Sequence, residues 1–110
     1  SMTHLPGYVA HADQIKAAGI DTIICLSVND AFVMGAWGQA HSADAITMLA
    51  DGNGELTGKL GLELDGSGFG LGTRSQRYAM VVDNGTVTHL SIEEGPGVDV
   101  SSAESMLAQL

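Results

Sequence analysis

At 110 residues the chain is one domain at most, long enough to bury a single hydrophobic core. Apolar residues make up 45% and charged ones 15%, with only two prolines, which excludes disorder, collagen and coiled coil; the short, interrupted apolar runs exclude a membrane span. Thirteen acidic against four basic side chains leave a net charge of −9, which argues against nucleic acid and anionic lipid as partners, and a lone cysteine excludes an internal disulfide framework and fits a reducing compartment.

The first residues lack the basic and then apolar segments of a secretory leader. Between Leu5 and Ala18, the residues Leu5, Tyr8, Val9, Ala12 and Ile15 recur at three and four and predict a helix. Thr3 is its N-cap, Pro6 is tolerated in its first turn, and Gly19 closes it. The run "TIICLSV" from Thr22 to Val28 is continuously apolar and β-branched, the habit of a parallel strand covered on both faces. Asn29 or Asp30 then caps a second helix with Phe32, Val33, Ala36, Trp37 and Ala40 on one face. Ile46 to Ala50 reads as another buried strand, ended by the turn "DGNG".

From Gly52 to Thr73 the chain is glycine-rich and reads as loop, with one short helix around Leu56 to Leu60. "RYAMVVDNGTVTHLSIEE" places two β-rich runs around Asp83-Asn84-Gly85 and predicts a hairpin. Ser101, three residues before Glu104, reads as a capping box that opens a last helix with Met106, Leu107 and Leu110 on its apolar side. Helix, strand, helix, strand, loop, hairpin, helix is the order of a thioredoxin-like α/β fold whose first strand is absent.

The stretches "SMTHLPG", "CLSVNDAFVMGAWG", "MLAD", "GFGLGTRSQRYAMVVDNG" and "VSSAESMLAQL" occur in the order found in one family. Over essentially the whole chain the sequence resembles the peroxiredoxins, in their type-five branch related to AhpC and TSA. The resemblance implies a thioredoxin-like fold, a central mixed sheet flanked by helices, of which residues 1–110 form the C-terminal part of a single domain. It also implies a peroxidase acting on hydrogen peroxide or alkyl hydroperoxides, recycled by glutaredoxin with glutathione or by thioredoxin, homodimeric and cytoplasmic, with no cofactor.

The family's Pro-x-x-x-Thr-x-x-Cys motif does not occur in these residues. In the family pattern the peroxidatic cysteine stands directly before Ser-x-Thr-His-Leu-Pro-Gly, so it is expected immediately before Ser1, at the positive end of the first helix. An upstream strand unit of roughly thirty residues is expected with it. Val100 falls where some type-five members carry a resolving cysteine, which implies an external thiol for that step.

Arg77 matches the arginine that the family places beside the peroxidatic sulfur, where a guanidinium favours thiolate and stabilises the departing oxygen. Thr3 and His4 fall at the pocket; His4 either lines it or caps the helix. The resemblance makes Phe69 and Leu71, within "GSGFGLG", apolar walls near the pocket, since that run fits neither the dinucleotide nor the phosphate-loop pattern. Cys25 sits mid-strand and reads as a buried small hydrophobe with a raised pKa rather than a nucleophile. Arg74 reads as a surface residue, and Trp37 with Phe32 as core.

No metal is expected: His4 and His11 stand seven apart, and His41 and His89 lack ligand spacing. "DGNGE" at Asp51 opens like a calcium loop, but Leu56 and Leu62 occupy the positions that need glycine and glutamate. The rival to a peroxidase is a non-catalytic thioredoxin-fold binding module, favoured by the absence of the peroxidatic motif and opposed by the complete "RSQRYAM" stretch.

Overall fold

The computed structural model describes residues 3–110. Ser1 and Met2, and with them the junction where the peroxidatic cysteine is expected, lie outside the described residues. The elements in chain order are α1 (His4–Ala17), β1 (Ile24–Ser27), α2 (Ala31–Ala40), β2 (Thr47–Ala50), α3 (Glu55–Lys59), β3 (Glu63–Asp65), a 3-10 turn (Ser67–Phe69), β4 (Thr73–Ser75), β5 (Tyr78–Asp83), β6 (Thr86–Ile92) and α4 (Ala103–Leu107). They fall in two compact units, one of residues 3–21 and 77–110, the other of residues 22–76.

In the first unit α1 packs on α4. Leu5, Ala12 and Ile15 of the expected stripe are buried, with Ala103 and Met106 of α4. Tyr8 and Val9 are half-buried. Thr3 stands at the N-cap of α1 through its carbonyl, which accepts from the Gly7 N–H at 3.0 Å, rather than through a side-chain cap. The hairpin of β5 and β6 turns on Asn84 and Gly85, both at positive φ (51° and 80°), the geometry a two-residue turn requires between right-twisted strands. A register shift between Val81 and Val82 leaves Thr88 as an extra residue in β6.

The cap of α4 departs from expectation by one residue. Ser102, not Ser101, is its N-cap, accepting from the Ser105 N–H at 3.1 Å. Leu110, assigned to the apolar side, lies beyond the helix end and is 43% exposed.

In the second unit β1 and β2 pair in parallel, Cys25 opposite Met48, as the apolar runs require. Among the described residues they are not covered on both faces. The helix packing on this pair is α2, which lies over the Met48 side: a Cβ at Gly38 would stand 2.9 Å from Met48 Cγ. On the other side of the pleat Ile24 and Leu49 remain 55% and 42% exposed.

Asp30 caps α2, its carboxylate accepting from the Val33 N–H at 2.8 Å. The buried face of α2 is also not the expected one. Met34 and Gly38, four apart, are buried, whereas Phe32, in the first turn, is 89% exposed and Val33 47%. Gly38 decides this: without a side chain it lets the helix approach the strand pair, and the neighbouring turn of that face falls on Met34.

The glycine-rich stretch is more ordered than its composition predicts. Asp51 accepts from the Leu56 and Thr57 N–H groups at 3.2 and 2.8 Å and from the Thr57 hydroxyl at 2.7 Å, which fixes the entry to α3. The apparent calcium-loop aspartate thus serves the first turn of α3, whose N-cap residue is Gly54. Beyond α3, the short antiparallel pair of β3 and β4 encloses the 3-10 turn. Strands of three residues are too short to give a period-2 signal. Among the described residues no helix is long and apolar enough to cross a membrane.

Candidate functional site

The first turn of α1 faces a polar knot built from the other end of the same unit. The carbonyl of Ser101 accepts two hydrogen bonds, from the Tyr8 hydroxyl at 2.7 Å and from His4 Nε2 at 2.9 Å. Because a carbonyl only accepts, His4 carries hydrogen on Nε2. The two rings meet edge to face, 5.5 Å apart. Burial is the main influence on His4 and lowers its pKa; the bond to Ser101 opposes this, the Arg77 charge adds to it, and Glu93 opposes it. At neutral pH the ring is therefore the neutral Nε2–H form. Burial also pushes the Tyr8 hydroxyl to ionise well above its ordinary range.

Ser101 is completely buried, and Glu93 holds it there. One carboxylate oxygen of Glu93 accepts from the Asp99 N–H at 2.7 Å, the Ser101 N–H at 2.9 Å and the Ser101 hydroxyl at 2.6 Å. These three donors, the Ser101 hydroxyl first, pull the Glu93 carboxyl down to about 2. A depressed carboxyl stabilises the fold above its unfolded value and stops doing so as pH falls through its folded value. The urea midpoint is therefore expected to fall between about pH 4.5 and pH 2. Glu93→Gln flattens this dependence, and an unchanged profile in that variant would refute the attribution.

Arg77 directly precedes β5 and is half-buried. Its carbonyl accepts from the Glu93 N–H at 2.9 Å, so the same residue that pins Ser101 through its side chain pins Arg77 through its backbone. Thr3, His4 and Arg77 belong to the first unit, and the Arg77 charge acts on His4. Phe69 and Leu71 belong to the second unit, where Phe69 ends the 3-10 turn 87% exposed and Leu71 is 51% exposed. Val100, between two residues bonded to Glu93, is 43% exposed.

Two further sequence-based expectations are resolved in the second unit. Cys25 is half-buried and its thiol pKa is raised by burial, which makes it a poor nucleophile. Arg74 is half-buried and tied down rather than a free surface side chain. Its Nε donates to the Leu71 carbonyl at 2.8 Å, and a terminal nitrogen donates to the Val28 carbonyl at 2.8 Å and to Asn29 Oδ1 at 3.1 Å. Those bonds tie β4 to the turn before α2. Among the described residues no three His, Cys, Asp or Glu side chains gather as metal ligands would.

The sequence reading missed Glu93, Ser101 and Tyr8 as a group. The signal was the pair Ser101-Ser102: α4 needs one capping serine, which leaves the other for a different task.

The Redoxin family model matches residues 1–107. The chain is 50% identical to Peroxiredoxin-2D of Arabidopsis thaliana, over 100% of this chain and 68% of that one. The chain belongs to the peroxiredoxin family, in its type-five branch. To the chloroplastic Peroxiredoxin-2E of the same plant it is 51% identical, again over its full length but only 48% of the relative's. The chain thus spans about half to two thirds of the curated relatives it matches.

Among solved structures it is similar to reduced Prx3 of Vibrio vulnificus in complex with hydrogen peroxide, at 58% identity and a TM-score of 0.93, covering 97% of this chain and 68% of that one. It is also similar to peroxiredoxin 5 of Alvinella pompejana, at 40% identity and a TM-score of 0.85, over 96% of this chain and 66% of that one. The thioredoxin-like α/β class expected from element order is therefore the fold of this chain.

Proposed function

We propose that the chain is the C-terminal part of a single peroxiredoxin domain and serves a thiol-dependent peroxidase that reduces hydrogen peroxide or small alkyl hydroperoxides. The observation that carries this reading is similarity at 58% identity, over 97% of this chain and 68% of the other, to a protein solved in complex with hydrogen peroxide. The reacting thiol is the cysteine that type-five members carry directly before Ser-x-Thr-His-Leu-Pro-Gly, here before Ser1. Cys25 is unsuited to the task, since burial raises its pKa.

The first N–H groups of α1 and the Arg77 guanidinium favour the thiolate. Its sulfur attacks one peroxide oxygen, forming an S–O bond as the O–O bond breaks. The departing oxygen leaves with the electron pair, takes a proton and becomes water or alcohol. Sulfur, oxidised by two electrons, is left as sulfenic acid. One external thiol then condenses with it, releasing water and forming a mixed disulfide, and a second thiol displaces the cysteine. With Val100 in place of a resolving cysteine, both thiols come from outside, from glutathione with glutaredoxin or from thioredoxin. A homodimer, the habit of the family, in the cytoplasm completes the reading, the compartment in keeping with a lone cysteine.

Peroxide consumption by the complete protein, coupled to each reductant in turn, tests this. Turnover with at least one of them is expected, and none with either would defeat the proposal. Cys25→Ala is expected to retain turnover, at a stability cost of about 1 kcal/mol from its small cavity. Loss of turnover in a well-folded Cys25→Ala protein would identify the wrong thiol.

A further inference from the structure

Glu93 occupies a position that no step above uses. Its backbone N–H holds the carbonyl of Arg77, and its carboxylate holds the N–H and hydroxyl of Ser101. Ser101 in turn offers its carbonyl to His4 and Tyr8 on the first two turns of α1. We propose that Glu93 is a positioning residue for peroxide reduction, setting through Ser101 the orientation of His4 at the head of α1 while its backbone fixes Arg77. The inference rests on the peroxidase reading and deepens it.

The physical case is that each link is over-determined. Ser101 is fully buried and all its polar groups are engaged: its N–H and hydroxyl donate to Glu93, and its carbonyl receives two donors. A group so fixed cannot rotate without stranding buried donors, so its carbonyl direction is set by where the carboxylate stands. That direction selects the Nε2–H tautomer of His4 and directs its other nitrogen, Nδ1, to the opposite edge of the ring. The Asp99 N–H takes the same carboxylate oxygen, which adds a donor that shares the negative charge. A neutral amide at position 93 bonds these three donors less strongly, and the carbonyl they orient becomes free to tilt.

Small displacements of groups around a reacting centre cost rate far out of proportion to their size. Glu93→Gln in the complete protein is expected to lower kcat/KM for hydrogen peroxide about tenfold. The step in which the external thiol reduces the sulfenic acid is expected to change less than twofold. The accompanying readout is nitrogen-15 NMR of His4. The unmutated protein should show one Nε2–H tautomer, and the variant a mixture with Nδ1–H.

Ser101→Ala keeps the carbonyl but removes the hydroxyl link, and should move both readouts the same way by a smaller factor, about threefold in rate. It serves as the second variant if Glu93→Gln folds poorly. A single Nε2–H tautomer in a folded variant overturns the proposal, as does a tautomer mixture with unchanged peroxide rate. Should the unmutated protein consume no peroxide, the peroxidase reading fails, whereas the His4 spectra still decide whether Glu93 orients that ring.

Discussion

Replacing Arg77 by methionine in the complete protein is expected, on the proposed peroxidase reading, to lower the rate of peroxide reduction by about 10²- to 10³-fold, or about 3 to 4 kcal/mol of transition-state stabilisation. On the proposed mechanism negative charge develops on the departing oxygen as the O–O bond breaks, and a guanidinium already in place would stabilise it without reorganising solvent. Methionine keeps an unbranched, flexible stem but is shorter than arginine and carries neither its charge nor its donors. The backbone contact that Arg77 makes, its carbonyl to the Glu93 N–H, survives the change, so the fold is expected to remain. Arg77→Lys should fall between the two, because it restores the charge but not the planar fork of donors. Stopped-flow oxidation of Arg77→Met at near the unmutated rate would remove Arg77 from the site.

The second large effect concerns stability. Met34 is 1% exposed on the buried face of α2, and Met34→Ala is expected to cost about 2 to 5 kcal/mol through lost transfer energy and the cavity left behind. Phe32, two residues earlier and 89% exposed, should cost no more than about 0.5 kcal/mol when changed to alanine. Urea unfolding of the two variants separates them. Equal losses would mean that α2 packs on the face its hydrophobic pattern suggests rather than on Met34 and Gly38.

That contrast shows where sequence was informative and where it was not. Helices and strands long enough to display a period were legible: α1, the parallel pair around Cys25 and Met48, and the hairpin at Asn84-Gly85 all stand where patterning puts them. The face of α2 was not, because so apolar a helix has no polar side to define its opposite. A glycine, which hydrophobicity ignores, chose the face by allowing close approach to Met48.

The strands of the glycine-rich stretch were too short to carry a pattern. At the site, Arg77 and His4 were visible only through resemblance, since a lone arginine and a lone histidine have no spacing to betray them. Glu93 and Ser101 were invisible for a different reason. Eight residues apart in a loop, they meet through a turn that no periodicity encodes, and Ser101 was itself assigned the capping role that Ser102 fills.

The extra residue in β6 bears on which changes of chain length the hairpin can absorb. Val81 pairs with His89 and Val82 with Val87, so Thr88 alone opposes no partner. Deleting Thr88 would close the ladder into regular pairing with every other partner kept, at the loss of some local twist. Deleting a paired neighbour such as Leu90 instead would slip the rest of the strand by one, turning each following side chain to the opposite face and drawing Glu93 out of line with Ser101. Natural shortening of this hairpin, wherever it has occurred, is expected to have removed the residue at the bulge.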